Sequence, residues 1–279
     1  MKKITKGLAV VCAAASLLAL GGCAKKTPNN RVTTLANWNV NTATVVEENM
    51  KEYWQTHEEV ATYSISFKEG ANSTYKVVYN ASAEGTGYTT KFRMETYDWA
   101  STEIPEAYRS TEADSEPVYV FETSLKLSGY FQIKPEGATK EFEDETTSIT
   151  YFRLASNNLQ PVYSHVKSHN TAPAELNATN IDAAYVQIDE EYHTYYNKKC
   201  TQATVYKTNY LEKDNKQTTK KIGISGKDGY SVFDNSQLVA AVRSFNLSGG
   251  ATRTFKVLVP QNNSVHTFHA TITSPIELK

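Results

Sequence analysis

Apolar and polar residues alternate with a period of two along most of the chain from Ala61 onward. In the clearest run, 119–133, one face carries Tyr119, Phe121, Thr123, Leu125, Leu127, Phe131 and Ile133, and the other carries Glu122, Ser124, Lys126 and Ser128. Side chains point alternately to the two faces of a strand, so this run predicts one long strand with a solvated side. Similar runs are 74–79, 88–99, 147–154, 185–196, 201–210, 220–224, 252–259 and 265–273. The short turn sequences between them predict antiparallel pairing.

Two segments have helical spacing instead. Residues 44–54 carry Val46, Met50 and Trp54 at helical intervals, which predicts a short N-terminal helix. The sequence Asp234-Asn235-Ser236-Gln237 has the form of a capping box, and an apolar stripe follows it as far as Phe245 and Gly249-Gly250. We expect this second helix to cover one face of a large antiparallel sheet.

The N-terminus has the features of a secretion signal. Lys2, Lys3 and Lys6 precede an uncharged apolar run, 8–20, which is too short to span a membrane permanently. The ending Leu20-Gly21-Gly22-Cys23 resembles the lipobox of bacterial lipoproteins, which implies cleavage between Gly22 and Cys23 and attachment of lipid to Cys23. A buried helix, or an ordinary signal cut at another small residue, would leave Cys23 unmodified.

Lipidation would place the protein in the cell envelope. Acyl chains such as palmitate hold a protein at a membrane surface, so the resemblance implies a domain tethered outside the cytoplasm. Ala24 follows the cysteine in the place where Asp would stand in an inner-membrane lipoprotein. That favours the outer membrane in a Gram-negative cell, while a Gram-positive cell would carry the protein on the outer face of its plasma membrane. Residues 1–22 are then the signal, 23–42 the lipidated N-terminus and flexible linker, and 43–279 a single mainly-β domain.

Composition fits a folded body behind this anchor. Apolar residues make up 40% of the chain and charged residues 21%, enough for a core and too few charges for a disordered segment. Removing the three signal lysines from a net charge of -1 leaves about -4, with no basic cluster. We therefore expect no nucleic-acid partner.

Cysteine usage predicts no disulfide. Cys12 leaves with the signal and Cys23 is acylated, so Cys200 remains alone. No histidine is beside Cys200 in the sequence, and a partly buried, inert thiol is the favoured interpretation.

The sequence predicts no catalytic residue, metal ligand or cofactor. His165 and His169 would lie about 13 Å apart on an extended segment, and His266 and His269 would fall on opposite faces of a strand. The acidic run 141–145 lacks the glycine turn of a calcium loop and is interpreted as a solvated turn. The sequence does not decide whether the fold brings two carboxylates together, as in a glycoside hydrolase.

Tyrosine is abundant, with 18 residues, of which Tyr185, Tyr192, Tyr195 and Tyr196 are close together. High strand propensity accounts for ordinary packing of these rings. The alternative is a ligand groove lined by aromatic rings, suited to sugars or acyl chains.

The segment 233–245 with Gly249-Gly250 and two following strands, together with 159–164, resembles a family of uncharacterised bacterial envelope proteins. The resemblance extends from about Tyr119 to Thr273 and leaves the 103–117 insertion unexplained. It implies a strongly curved, unclosed antiparallel sheet around a helix, the half-barrel also seen in lipoprotein-carrier proteins. It implies no activity.

Two functions follow as expectations. The first is a non-enzymatic envelope protein that binds an apolar or amphipathic ligand, such as a lipid or acyl chain, inside the half-barrel. The alternative is a surface adhesion or scaffold module that contacts cell-wall glycan or an envelope protein through its outer face. A hydrolase is the third. No ligand-binding residue is assigned from the sequence.

Overall fold

The computed structural model describes residues 59–63, 75–79, 87–133, 137–154, 158–173, 185–224, 232–244 and 252–271. The predicted signal, Cys23, the linker, the helix at 44–54 and Gly249-Gly250 lie outside these residues. Within them, no helix has the length and apolar character needed to cross a membrane.

Nine strands form the main sheet. They are β1 (Glu59–Tyr63), β2 (Tyr75–Tyr79), β3 (Gly87–Asp98), β4 (Ser115–Ile133), β5 (Thr139–Arg153), β6 (Pro161–Pro173), β7 (Tyr185–Tyr196), β8 (Gln202–Asn209) and β9 (Lys216–Gly223). The order is β1-β3-β4-β5-β6-β7-β8-β9, every pairing is antiparallel, and β2 pairs with the far end of β4 beyond β3. The path ends at β1 and β9 without joining them, so the prediction of an unclosed antiparallel sheet is confirmed.

The alternating pattern predicts some strands closely and misses others. The bounds of β7 agree with the prediction, whereas β5 begins at Thr139, eight residues before the predicted start. The acidic run 141–145 was predicted to be a solvated turn, but it is part of β5. Glu141, Glu143 and Glu145 point to solvent, and Asp144 is buried on the other face. The segment at Pro161 was predicted only as an extended link between strands, yet it is the full strand β6.

A second, smaller sheet lies over the first. It consists of β10 (Val232–Asp234), β11 (Thr252–Val259) and β12 (Ser264–Thr271). Strands β10 and β11, a pair that the sequence did not predict, run parallel, whereas β11 and β12 are antiparallel. The helix explains the exception: a connection that passes through a helix is long enough to return the chain in the same direction.

The helix begins where the capping box predicted. The Asp234 carboxylate accepts a hydrogen bond from the backbone N–H of Ser236 (2.8 Å), and the Gln237 side chain accepts one from the backbone N–H of Asp234 (3.1 Å). The first turn, Asn235–Gln237, is 3-10 helix, and α1 (Leu238–Ser244) continues it. The predicted N-terminus of this helix is therefore confirmed.

Asp234 also joins the two layers. It is fully buried, and its Oδ2 atom accepts hydrogen bonds from the hydroxyls of Ser164 on β6 (2.6 Å) and Tyr196 on β7 (2.5 Å). One carboxyl group thus caps a helix and fixes it against two strands of the main sheet.

Two hydrophobic cores fill the space between the layers. In the first, Phe92, Phe121 and Phe152 of the main sheet pack against the second layer at Phe233 and Leu238. The second core consists of Val166, Tyr192, Tyr196, Ala203, Val205, Ile222, Ile224, Val232 and Leu258. Each large apolar side chain buried in this way contributes about 1.5–3 kcal/mol. We call this face of the main sheet the inner face and the opposite one the outer face.

The connection between β3 and β4 covers one end of the outer face. Trp99 at its start is 2% exposed and packs on Val118, Val120 and Val162. The Trp99 indole N–H donates to the Glu116 carboxylate (2.8 Å), which also accepts from the guanidinium of Arg153 (2.8 Å).

The same connection reaches across to β7 and β8. The Tyr108 ring stacks on Tyr195 with centroids 6.2 Å apart, and its hydroxyl is hydrogen-bonded to Thr204. Lys198, in the turn between those strands, forms an ion pair with Asp114 (2.5 Å). Contacts at both ends therefore hold the segment 99–114 against the sheet, whereas Thr89, Lys167 and His169 elsewhere on the outer face are exposed.

Candidate binding site on the outer face

A row of tyrosine rings crosses the outer face next to the covered end. The rings belong to β3, β5, β6, β7 and β8, and are those of Tyr97, Tyr151, Tyr163, Tyr195 and Tyr206. Successive centroids lie 5.8, 5.9, 4.9 and 5.8 Å apart. Antiparallel register places Tyr151, Tyr163 and Tyr195 directly opposite one another, while Tyr206 and Tyr97 lie further along their own strands on the same face. All five are half-buried, so each ring keeps part of its surface in contact with solvent.

A groove of about 560 Å³ lies beside this row. Short side chains form its floor, namely those of Thr89, Ser124 and Thr147 from three neighbouring strands, and taller side chains stand around them. The remaining outer-face lining is Lys91, Glu122, Ile149 and His165. Small hydroxylated residues between large ones thus create a concave strip on a sheet surface.

Charge at the groove is largely neutralised by ion pairs. Arg93 binds both Glu95 and Glu122 at 2.5 Å, and these two carboxylates raise the pKa of the guanidinium although burial opposes the effect. One step further along β4 and β5, Lys126 pairs with Glu145 (3.1 Å). The groove therefore offers hydroxyl and aromatic groups rather than a strong electrostatic potential of one sign.

Two histidines and a carboxylate stand at the edge of the groove. His165 of β6 and His193 of β7 are directly opposite each other, and their rings stack with centroids 4.3 Å apart and planes within 5°. The Oε1 atom of Glu191 lies 2.6 Å from Nε2 of His165 and 3.6 Å from Nε2 of His193. One ligand atom from each of the three residues falls within 4.8 Å of the others.

Two tyrosine hydroxyls fix this cluster from outside. The hydroxyl of Tyr163 is hydrogen-bonded to Nδ1 of His193 (2.8 Å), and that of Tyr210 donates to the second oxygen of Glu191. Nδ1 and Nε2 of His193 and both carboxylate oxygens of Glu191 therefore each have a polar neighbour.

The surroundings shift the pKa values of this cluster. Partial burial alone would raise the pKa of Glu191, but the hydrogen bonds from Tyr210 and His165 and the nearby imidazoles lower it overall. Burial, with the like charge of His165, lowers the pKa of His193 against the opposing effect of Glu191. Near neutral pH the cluster thus holds a carboxylate and a neutral His193 imidazole.

The tyrosines and the cysteine singled out in the sequence lie in different parts of the structure. Tyr192 and Tyr196 are buried on the inner face, whereas Tyr195 joins the tyrosine row on the outer face. Cys200 is a free, half-buried thiol beside the second core, and burial raises its pKa to about 12. That value fits the predicted inert thiol.

The structure does not bring His165 and His169 together. His165 and His169 both lie on the extended strand β6, as predicted, and His169 is 3.6 Å from Asp189 instead. His266 and His269 occupy positions of opposite parity on β12.

Sequence reasoning missed the cluster because its members come from two strands. Glu191 and His193 are two residues apart, a spacing that puts both on one face of a strand and was available in the sequence. Its partner, His165, depends on the register between β6 and β7.

Comparison with family profiles, curated proteins and solved structures found no match for this chain. The predicted relationship to the uncharacterised envelope-protein family stays a prediction, and the function has to be argued from the site.

Proposed function

We propose that the chain is a lipid-anchored protein of the bacterial cell envelope that binds glycan in the groove on the outer face of its sheet. The observation that carries the proposal is the groove itself: a hydroxylated floor about 560 Å³ in volume beside a row of half-buried tyrosine rings. Its size lies within the range of small-ligand sites.

The chemistry of this surface matches that of a sugar. A pyranose ring has an apolar C–H face and a rim of hydroxyl groups. Tyrosine rings provide a flat apolar contact and a polar edge, and Thr and Ser hydroxyls both donate and accept hydrogen bonds. The paired charges at Arg93 and Lys126 supply orienting groups without selecting a strongly charged ligand.

The packing of the inner face favours this site over an internal lipid pocket. Phe121, Phe152, Phe233 and Leu238 fill the space between helix and sheet, and each is 1% exposed or less. An acyl chain would have to displace these side chains, whereas a ligand on the outer face displaces only water. Of the two functions expected from the sequence, the surface module is the better supported.

Anchoring is the second part of the proposal and rests on Cys23. Mass spectrometry of the protein from its native host should find a mature chain that begins with a diacylated Cys23, and Cys23→Ala should abolish acylation. An unmodified cysteine, or a mature chain starting elsewhere, would refute the anchor and leave the glycan site to be judged separately.

The glycan site is tested by filling the groove. Ser124→Tyr places a ring on the floor, and Thr219→Tyr adds the same group at an exposed position of β9 on the same face. We expect the full-length protein in detergent and the Thr219 variant to sediment with purified cell-wall glycan. We expect the Ser124 variant to bind at least roughly tenfold more weakly, or about 1.4 kcal/mol.

Equal binding by the two variants would overturn the proposal. So would the absence of glycan binding by the unaltered protein. Lipid that co-purifies with both variants in the same amount would favour the internal site instead. Circular dichroism of each variant shows whether the fold is retained.

A further inference from the structure

We propose that His165, Glu191 and His193 form a binding site for a divalent transition-metal ion, with Zn²⁺ as its reference ion. Imidazole nitrogen and carboxylate oxygen are the ligands that Zn²⁺ takes in sites with three protein ligands and one open position. The three groups belong to adjacent antiparallel strands, so the sheet backbone fixes their separation.

The distances are close to those that an ion requires. In a tetrahedral site with Zn–N and Zn–O bonds of about 2.0–2.2 Å, neighbouring ligand atoms lie roughly 3.3 Å apart. The His193 Nε2 to Glu191 Oε1 distance is 3.6 Å, and the His165 Nε2 to Glu191 Oε1 distance is 2.6 Å. The second contact is a hydrogen bond, so the ion would take the place of its proton and separate these two atoms by somewhat less than 1 Å. The two stacked imidazole rings would also have to turn about their side-chain bonds, so that both Nε2 lone pairs point at the ion.

The neighbours of the cluster have the arrangement of an outer ligand shell. Metal-bound histidine usually donates its other ring N–H to an oxygen, and the Tyr163 hydroxyl stands 2.8 Å from Nδ1 of His193. Tyr210 donates to the Glu191 oxygen that faces away from the histidines. Lys167, which is opposite Glu191 on β6, directs its ammonium to the face of the Tyr210 ring at 5.9 Å.

The cluster is accessible to an ion from solution. The side chains of His165, Glu191 and His193 are 31, 19 and 35% exposed. The Glu191 carboxylate brings a negative charge to the cluster, which attracts a cation. The half-exposed position leaves room for water as the fourth ligand.

His165 also lines the groove, so the open position of the ion would lie at the groove's edge. An ion there could accept a hydroxyl or carboxylate oxygen from a bound molecule. This last step rests on the proposed glycan site, whereas binding of the ion does not.

Binding of Zn²⁺ alone provides the test. The full-length protein is purified in detergent through a histidine-free tag and titrated with Zn²⁺ by calorimetry, without glycan. We expect one strong site per chain. His193→Gln and Glu191→Gln should each weaken it by more than the roughly 10- to 100-fold typical of outer-shell changes, and Tyr163→Phe should have an effect within that range.

His169→Gln is the matched control, because it removes an exposed histidine from the same strand and the same face outside the cluster. Its Zn²⁺ affinity should equal that of the unaltered protein. The proposal is overturned if the unaltered protein takes up no Zn²⁺, or if the His193 and His169 variants lose affinity to the same extent. Co²⁺ absorption offers a second readout: d–d bands of tetrahedral intensity should appear in the unaltered protein and vanish in the Glu191 variant.

Discussion

The carboxyl group of Asp144 should make the stability of the protein depend on pH. Asp144 is 4% exposed on the inner face of β5, and its Oδ1 atom accepts the backbone N–H of Thr171 (2.6 Å). Its Oδ2 atom is buried and has no hydrogen-bond partner among the residues that the structure describes. Burial raises the pKa of Asp144 from 3.8 to about 6, since the Thr171 hydrogen bonds and the charge of His169 offset the loss of hydration only in part.

The direction of the effect follows from the protons bound in each state. Between about pH 4 and 6 the folded chain keeps a proton on Asp144 that the unfolded chain has lost. The stabilisation is therefore fully present below about pH 4 and is lost as the pH rises through 6. Raising the pKa of Asp144 from 3.8 to about 6 corresponds to about 3 kcal/mol.

Asp144→Asn removes the charge and keeps an oxygen that can accept from Thr171. The free energy of unfolding should be about equal for the two proteins at pH 4 and higher for the variant at pH 8, by up to about 3 kcal/mol. Urea titrations at intervals of pH, followed by the fluorescence of buried Trp99 and the other tryptophans, measure the difference. The control, Glu143→Gln, changes an exposed carboxylate one residue earlier.

Burial of the Asp144 carboxyl group is not the cause if the difference in the free energy of unfolding between Asp144→Asn and the unaltered protein is the same at every pH. The same conclusion follows if the unaltered protein is the more stable one at pH 8. A pH-dependent difference of equal size for Glu143→Gln would mean that general surface charge, rather than burial of one carboxyl group, is responsible.

Two further predictions concern the contact between the layers. Asp234→Ala should lower the free energy of unfolding by about 3 kcal/mol or more, because the buried hydroxyls of Ser164 and Tyr196 lose their acceptor and the helix loses its N-cap. Urea titration measures the loss, and a loss below about 1 kcal/mol would refute the prediction. Phe152→Ala should cost about 3–5 kcal/mol at a fully buried site, whereas Val186→Ala, 42% exposed, should leave the unfolding midpoint almost unchanged.

Local patterns in the sequence predict the strands and the start of the helix well, because their causes are local. The bounds of β7 and β11 agree with the alternating runs, and Asp234 and Gln237 form the expected capping box. In each case the determining interactions lie within a few residues of one another. The parallel pair β10–β11 was not predicted, since the sequence pattern of a three-residue strand contains no information on direction.

The candidate site depends on register, which the sequence does not specify locally. His165 faces His193 because β6 and β7 pair at that position, and a shift of one residue would turn the whole face of β7 to the other side. The same holds for the tyrosine row, whose members come from five strands. Sequence analysis could find the pair Glu191 and His193 on one face but not the residue opposite them.

The β3–β4 connection determines which part of the outer face is covered. Val118 and Val120 share the outer face of β4 with Glu122 and Ser124, yet both are fully buried because Trp99 and its connection lie over them. The connection, part of which the family resemblance leaves unexplained, thus divides the outer face into a covered end and an open remainder. Its Tyr108 stacks on Tyr195 and stabilises the tyrosine row where the open part begins. Because the groove and the histidine cluster both lie in that open part, deletion of the connection should expose Val118 and Val120 and loosen the row together with the sites beside it.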